Sequence, residues 1–364
     1  MTTGSGGEER VGYGESTWSG PMAVLAARSR DLSADEASAL LHTTYGIVAE
    51  ASPLRSERDQ NFLMRAEDGA SYVLKLANAV QDPAIATFQT RALLHIAAVD
   101  PALAVPRVVA TRAGDWEFRC APEDGAPRIG RLVTFLPGVP LASQPGSLAQ
   151  AEGLGRLAAT LGRALRGFFD PAAGHELLWD LKHAARLADL VGYIDAEADR
   201  RLVAEAIGAF RRDARPRLPA LRGQVIHNDL NPHNILVDPD RPDVPRGIID
   251  FGDLVFGALI NDVAIAAAYL VGGAHDPIEP ACRFVAAYHA VTPLDAEEVR
   301  LLPVLVATRL AMTCAITAWR AKRYPENEAY IMRNRGGAAA GLETLSAMRP
   351  DAFAARLLAA CGLE

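Results

Sequence analysis

Three polar side chains near the middle of the chain share a spacing that suits one kind of chemistry. The run His227-Asn228-Asp229-Leu230-Asn231-Pro232-His233-Asn234 leads into apolar Ile235-Leu236-Val237. Sixteen residues after Asn234, the apolar pair Ile248-Ile249 ends in Asp250-Phe251-Gly252-Asp253. Moving a phosphoryl group between oxygens asks for this set. The acceptor hydroxyl must lose a proton, so an aspartate belongs where that oxygen approaches, and Asp229 is the candidate. Magnesium ions that bridge phosphate oxygens prefer hard oxygen ligands, which the Asn234 amide and the Asp250 carboxylate can supply from opposite strands of a short hairpin. A surface hairpin with scattered polar residues does not account for three matched polar positions with apolar flanks. Val73-Leu74-Lys75 adds an apolar strand that delivers one lysine, suited to hold α- and β-phosphates. A lone strand lysine is usually just solvated. Its place in a small sheet roughly 150 residues before Asp229 gives it weight.

The elements that must carry these groups are partly legible. Ser33 with Glu36 opens a first helix, and Gly46 stops it. Asn61–Met64 and Ser71–Leu76 flank Glu67-Asp68-Gly69, a hairpin signal. Asp82-Pro83 opens a helix through roughly His95. Further strands are expected over 107–111, 116–120 and 131–136, the last closed by Pro137-Gly138. Beyond 138 the texture turns helical. Ser147 and Gln150 form a capping box ahead of Leu154, Leu157, Leu161, Leu165 and Phe168 at helical spacing. Helical patterns recur near 178–191 and 196–212. Short strands at 225–227, 235–237 and 247–249 interrupt them. From Asp262 onward the pattern is helical, with Asp295 and Glu298 as a capping pair and Leu294 and Val299 as a staple. The expectation is an α+β chain. Residues 1–30 form a loose tail, 31–137 a small antiparallel-sheet lobe with one helix, and 138–364 a mainly helical lobe.

Composition narrows the classes. Of 364 residues, 50% are hydrophobic and 22% charged, which suits a globular chain. Lysine and arginine total 37 against 44 acidic residues, a net charge of -7, so no basic excess invites nucleic acid. Cys120, Cys282, Cys314 and Cys361 are too far apart for a zinc knuckle or a CxxC pair and read as buried thiols. The first twenty residues lack the apolar core of a signal peptide. Val263–Ala274 is too short to cross a membrane, and Leu301–Trp319 is interrupted by Pro303 and Arg309. A cytoplasmic location without membrane association is expected.

The sequence resembles the aminoglycoside phosphotransferase and choline kinase-like superfamily, and within it the hydroxylysine kinase-like branch. Val225-Ile226-His227-Asn228-Asp229-Leu230-Asn231, the stretch Arg131–Gly138 and Gln89–Leu94 carry the resemblance, which spans roughly residues 30–345. It implies a bilobal protein kinase-like fold with ATP or GTP between the lobes and the adenine on hinge backbone near Thr134 to Leu136. It implies Asp229 as the base, Asn234 and Asp250 as Mg2+ ligands, and Lys75 as the phosphate anchor. His227 then supports the loop structurally. Asp262, twelve residues after Asp250, braces that loop by accepting backbone N–H bonds, or is a plain helix N-cap. Two departures stand out. No G-x-G-x-x-G loop is present, so the hairpin Arg55–Phe62, with Ser56 and Asn61, must meet the phosphates. Gln89 also stands where kinases place a glutamate. It can hydrogen-bond Lys75 without neutralising it, or it faces solvent.

The short interval between Asp250 and Asp262 leaves no room for a peptide-docking segment, so the acceptor is expected to be small. Arg309 lies in the apolar run 301–316 and needs an anion. Asp253 or Asp262 could serve, or the carboxylate of an amino-acid acceptor. The chain is therefore expected to be a magnesium-dependent kinase acting on a hydroxylated amine, hydroxylysine-like or an amino alcohol, with Asp253 and Arg309 on the acceptor side. The rivals are an aminoglycoside-inactivating kinase with an acidic pocket and a nucleotide-binding pseudokinase.

Overall fold

The structure is a computed structural model that describes residues 31–56, 58–121, 127–272 and 275–363. The expected tail, 1–30, lies outside the described residues. Helix α1 (Ala34–Tyr45) begins at the Ser33–Glu36 capping box. Strands β1 (Ala49–Leu54), β2 (Gln60–Ala66) and β3 (Ser71–Leu76) follow, then helix α2 (Pro83–Val99), short β4 (Val108–Val109) and β5 (Phe118–Cys120), and β6 (Arg128–Thr134). They form one antiparallel sheet, β1-β2-β3-β6, with β4 and β5 both on the outer edge of β6. The β2–β3 turn holds Gly69 at φ 88°, a conformation that favours glycine. Side chains alternate across a strand. Leu74 and Leu76 therefore join Leu41, Phe62, Met64 and Leu132 in a core on one face, which turns Val73 and Lys75 to the other.

Strand β1 was not expected. Ala49 and Ala51 point inward between Glu50 and Ser52, but the inward residues are only alanines and Pro53 and Leu54 are both exposed, which an edge strand with one partner tolerates. Beyond Pro137, β7 (Val139–Pro140) pairs with β9 (Ile235–Asp238), which pairs with β10 (Arg241–Ile248). Gly138 sits at φ 136°, and a Cβ there would meet the Val237 carbonyl at 2.8 Å. Helix α3 (Leu148–Ala164) starts at the Ser147–Gln150 box. A 3-10 stretch (Leu181–Tyr193) and helix α4 (Glu197–Ala209) come next. Strand β8 (Gly223–Ile226) pairs with β11 (Val255–Ala258) rather than with β9. Helices α5 (Leu259–Ala268), α6 (Glu279–Val291) and α7 (Ala296–Arg323) build the core, to which later helical residues Leu342, Phe353 and Leu357 also contribute.

Helix α7 corrects one expectation. Pro303 and Arg309 do not interrupt it: it runs 28 residues, starting at the Asp295–Glu298 capping box. Its most apolar window, with mean hydropathy 1.8, is long enough to cross a membrane, yet 89% of that window is buried inside the protein. Leu302, Leu305, Val306, Met312 and Ile316 are fully buried, each contributing roughly 1.5–3 kcal/mol. That burial offsets the seating of Arg309 among them.

Candidate active site

The His227–Asn234 loop, expected to be catalytic, runs from the end of β8 into β9. Asp262 fixes its start. Its Oδ2 accepts from His227 N at 2.9 Å and its Oδ1 from Asn228 N at 2.7 Å. The N-cap of α5 is Ala258, so Asp262 braces the loop and is not a cap. Burial pushes its carboxyl up to about 6, and the two N–H groups pull against that. Asn228, thus tied, adopts φ 64°, a left-handed conformation that asparagine tolerates. The His227 ring lies 3.1 Å from the Ile249 carbonyl through Nε2 and accepts from Asp229 N at 3.3 Å through Nδ1. That pairing assigns a neutral ring protonated at Nε2. Burial holds its pKa down, at about 4.

Asp229 receives three donors. Arg309 Nη2 reaches Oδ1 at 3.0 Å, while Asn231 Nδ2 and Asn234 Nδ2 reach Oδ2 at 2.9 and 2.8 Å. Two donors saturate Oδ2, so Oδ1 keeps the lone pair free to take a proton. The side chain is 21% exposed and lines the cleft. Burial pushes its carboxyl up, and the Arg309 guanidinium opposes that.

Arg309 therefore has a partner that the sequence did not suggest. It is neither Asp253 nor Asp262 but Asp229. Its other bonds go to the Trp179 carbonyl at 3.1 Å and the Tyr269 hydroxyl at 3.5 Å, with its guanidinium 5.1 Å from the centre of the Trp179 ring. Asp253, expected beside the acceptor, pairs with Arg58. Arg58 comes from the β1–β2 loop and also donates to the Gly252 carbonyl at 3.4 Å. Asn78 straps that loop from behind, bonding Arg58 O and Asp59.

Asn234 donates through Nδ2 to both the backbone and the side chain of Asp229, which leaves its side-chain oxygen as an acceptor. Ile249 N bonds Asn234 O at 2.9 Å, so Asp250 follows directly across the hairpin. Asp250 stands at φ 62°, and its Oδ1 meets Lys75 Nζ at 3.2 Å and Gly252 N at 3.3 Å. Lys75 beside it holds its carboxyl well below the usual carboxylate range. An amide oxygen and a charged carboxylate on adjacent strands suit magnesium, which takes few protein ligands and completes its shell with water and phosphate. Among the described residues, no group of three or more His, Cys, Asp or Glu could hold a metal.

Gln89 is 3% exposed and does not face solvent, nor does it bond Lys75. Its Nε2 donates to the Gly252 carbonyl at 2.9 Å, and its Oε1 accepts from buried Arg131 at 2.7 Å. The amide serves both sides of this junction, which a carboxylate cannot do because it has no donor. At the hinge, Thr134 N and Phe135 N bond the carbonyls of Arg107 and Ser71. The Thr134 hydroxyl oxygen accepts from Arg107 N at 2.9 Å. Of the three hinge residues, Leu136 keeps its N–H free among the described residues.

One cleft of about 480 Å³ joins these groups. One part is lined by Leu54, Ser56, Asn61, Val73, Lys75 and Leu136, and the other by Trp179, Asp229, Tyr269, Arg309, Thr313 and Tyr330. Asn231 stood inside the quoted motif, two residues after Asp229, and that spacing was its signal. Trp179, Tyr269 and Tyr330 come from distant segments and had none.

The chain belongs to the phosphotransferase enzyme family, which it matches over residues 50–302. It is 31% identical to hydroxylysine kinase from Mus musculus over 322 residues, 82% of this chain and 85% of that protein. It is also 31% identical to homoserine kinase from Methylobacterium sp. (strain 4-46) over 285 residues, 74% of this chain and 81% of that one. A solved microcompartment-associated aminopropanol kinase shares the fold, with TM-score 0.61 at 21% identity over 89% of this chain and 98% of that one. The fold is that of the bilobal phosphotransferases, and the chain is a small-molecule kinase that phosphorylates a hydroxyl group.

Proposed function

We propose that this kinase moves the γ-phosphoryl of ATP to a hydroxyl of a small amine, with a hydroxy amino acid or an amino alcohol as acceptor and GTP as the alternative donor. The observation that carries it is the Asp229 carboxylate, gripped by three donors with one Oδ1 lone pair left toward the cleft. The acceptors named for the mouse and Methylobacterium relatives support the class, since both carry a hydroxyl and an amino group.

In this mechanism the acceptor hydroxyl gives its proton to Asp229 Oδ1 as its oxygen bonds the γ-phosphorus. The bond from that phosphorus to the bridging oxygen breaks, and the nucleoside diphosphate leaves with the electron pair. Arg309 and Asn231 fix the carboxylate rotamer, so the base is in place before the acceptor arrives. Lys75 holds the α- and β-phosphates beside Asp250, and Ser56 from the β1–β2 loop and Asn61 from β2 face the phosphates. The Leu136 N–H donates to the adenine. Asn234 and Asp250 would hold magnesium, which when bound neutralises charge on the phosphate oxygens. Residues 31–137 act as the nucleotide lobe and 138–364 as the catalytic and acceptor lobe. The four free cysteines fit a cytoplasmic setting.

The aminoglycoside reading is not favoured. The acceptor-side carboxylates, Asp229 and Asp253, each pair with an arginine, which leaves little field for a polycation. The pseudokinase reading is weakened by the bonds that join Lys75, Asp229, Asn234 and Asp250 into one site. Purified protein would be assayed with ATP or GTP and magnesium against 5-hydroxylysine, homoserine, 1-amino-2-propanol and kanamycin. Acceptor-dependent diphosphate release with a phosphorylated hydroxy-amine product is expected. Turnover with kanamycin alone would overturn the assignment.

A further inference from the structure

The cations that line the cleft are nearly all engaged. Lys75 pairs with Asp250, Arg58 with Asp253 and Arg309 with Asp229, and Arg131 bonds Gln89 and the Ala86 carbonyl. Arg55 stands at the nucleotide end, just beyond β1. At the acceptor end one cation is left over. Arg333 lines the cleft, and no carboxylate among the described residues pairs with it. Its guanidinium lies 4.1 Å from the centre of the Tyr330 ring, which also lines the cleft.

The segment around Arg333 is tied down on both sides. Asn334 Oδ1 meets His233 Nε2 of the catalytic loop at 3.2 Å. Arg335 donates to the Cys314 carbonyl of α7 at 3.0 Å and pairs with Asp199 at 3.1 Å. Of two arginines two residues apart, Arg335 is committed to holding the segment, and Arg333 is left to the cleft. A guanidinium stacked on a ring keeps its planar donor fork open, and that fork matches a carboxylate.

The same wall also suits an ammonium. Thr313 and Thr317 follow Arg309 at four-residue steps, hence on one face of α7, and both line the cleft. Their hydroxyls donate to the Arg309 and Thr313 carbonyls at 3.1 and 2.7 Å. With its proton so committed, each oxygen presents only lone pairs to the cleft.

We propose that Arg333 binds a carboxylate of the acceptor, so that the preferred substrate is a hydroxy amino acid rather than its decarboxylated amino alcohol. The proposal rests on the kinase function inferred above and narrows its acceptor class.

The test compares acceptors that differ only in the carboxylate: homoserine with 3-amino-1-propanol, and 5-hydroxylysine with its decarboxylated diamine. Wild-type protein should use at least one amino acid with a lower KM than its decarboxylated partner. Arg333→Gln should raise that amino acid's KM roughly tenfold or more, the scale of a lost charge-assisted contact. It should leave the KM of the amino alcohol and of the nucleotide unchanged. Arg333→Lys should restore part of the difference by keeping the charge. Equal KM rises for both acceptors, or none, would overturn the carboxylate site while the kinase function stands. A raised nucleotide KM with both acceptors would make Arg333 a phosphate ligand and also overturn it. If wild-type protein phosphorylates none of the four compounds, the acceptor class itself fails, and the site falls with it.

Discussion

Arg309 is buried in α7 and donates through one guanidinium nitrogen to Asp229. A buried guanidinium on Oδ1 holds Asp229, the proposed base, and removing it leaves a carboxylate with one face unsupported. Arg309→Met is expected to lower kcat by roughly 10–100-fold with nucleotide affinity unchanged, on the scale of losing one charged hydrogen bond. A double-mutant cycle with Asp229→Asn checks the coupling: the two losses should be far from additive. Gln89 gives a second case. Gln89→Glu removes the donor to Gly252 and sets a carboxylate against that carbonyl. It should lower kcat and raise the magnesium requirement, although a glutamate is what kinases usually carry there. Steady-state assays across magnesium concentrations check this, and unchanged kinetics would remove Gln89 from the metal loop's support. Arg309 illustrates the limit of the sequence. Its need for an anion followed from the apolar run around it, but the partner lies 80 positions away and only the fold selects it.

At the scale of elements, the catalytic loop depends on α5. Asp262 accepts from two consecutive backbone N–H groups, and Asp262→Ala would leave both buried without partners. Each such loss costs about 1–3 kcal/mol, so Tm should fall by several degrees and kcat should drop with it. Thermal unfolding beside kinetics checks both. His227 makes the loop pH-sensitive. Its folded pKa of about 4 lies below the unfolded value of 6.5, so the unfolded chain binds the proton first as pH falls. Stability is full above pH 6.5 and is lost as the pH falls from 6.5 toward 4. Tm measured between pH 7.5 and 5 should therefore slope less in His227→Gln than in wild type. Elements with caps or strict alternation were readable: the Ser33, Ser147 and Asp295 boxes and the β2–β3 hairpin all appear where the residues place them. Strand β1 and the β8–β11 pairing were not, because one turns only two alanines inward before Pro53 and the other joins strands far apart in sequence.

Across the whole molecule, the groups proposed to meet the nucleotide and those proposed to meet the acceptor line one cleft, in which Lys75, Arg58 and Arg309 are paired with carboxylates and Arg333, among the described residues, is not. In the proposed mechanism Lys75 comes from the sheet, the base Asp229 and the metal ligand Asn234 from the loop between β8 and β9, Asp250 from the turn after β10, and the acceptor walls from α7 and the segment after it. The motif spacing announced the middle of this arrangement. The acceptor walls carry no motif, since Trp179, Arg309 and Tyr330 meet only through tertiary packing. In the proposed function Asp229 drives acceptor-dependent phosphoryl transfer to a hydroxy amine. The most direct measurement follows nucleoside diphosphate release and the phosphorylated product by mass, with ATP, magnesium and homoserine or 5-hydroxylysine, for wild type and Asp229→Ala side by side. Acceptor-dependent turnover is expected in wild type and a kcat lower by roughly 10²–10⁴ in the variant, with ATP affinity retained. Near wild-type turnover by Asp229→Ala, or diphosphate release that ignores the acceptor, would contradict the proposed function.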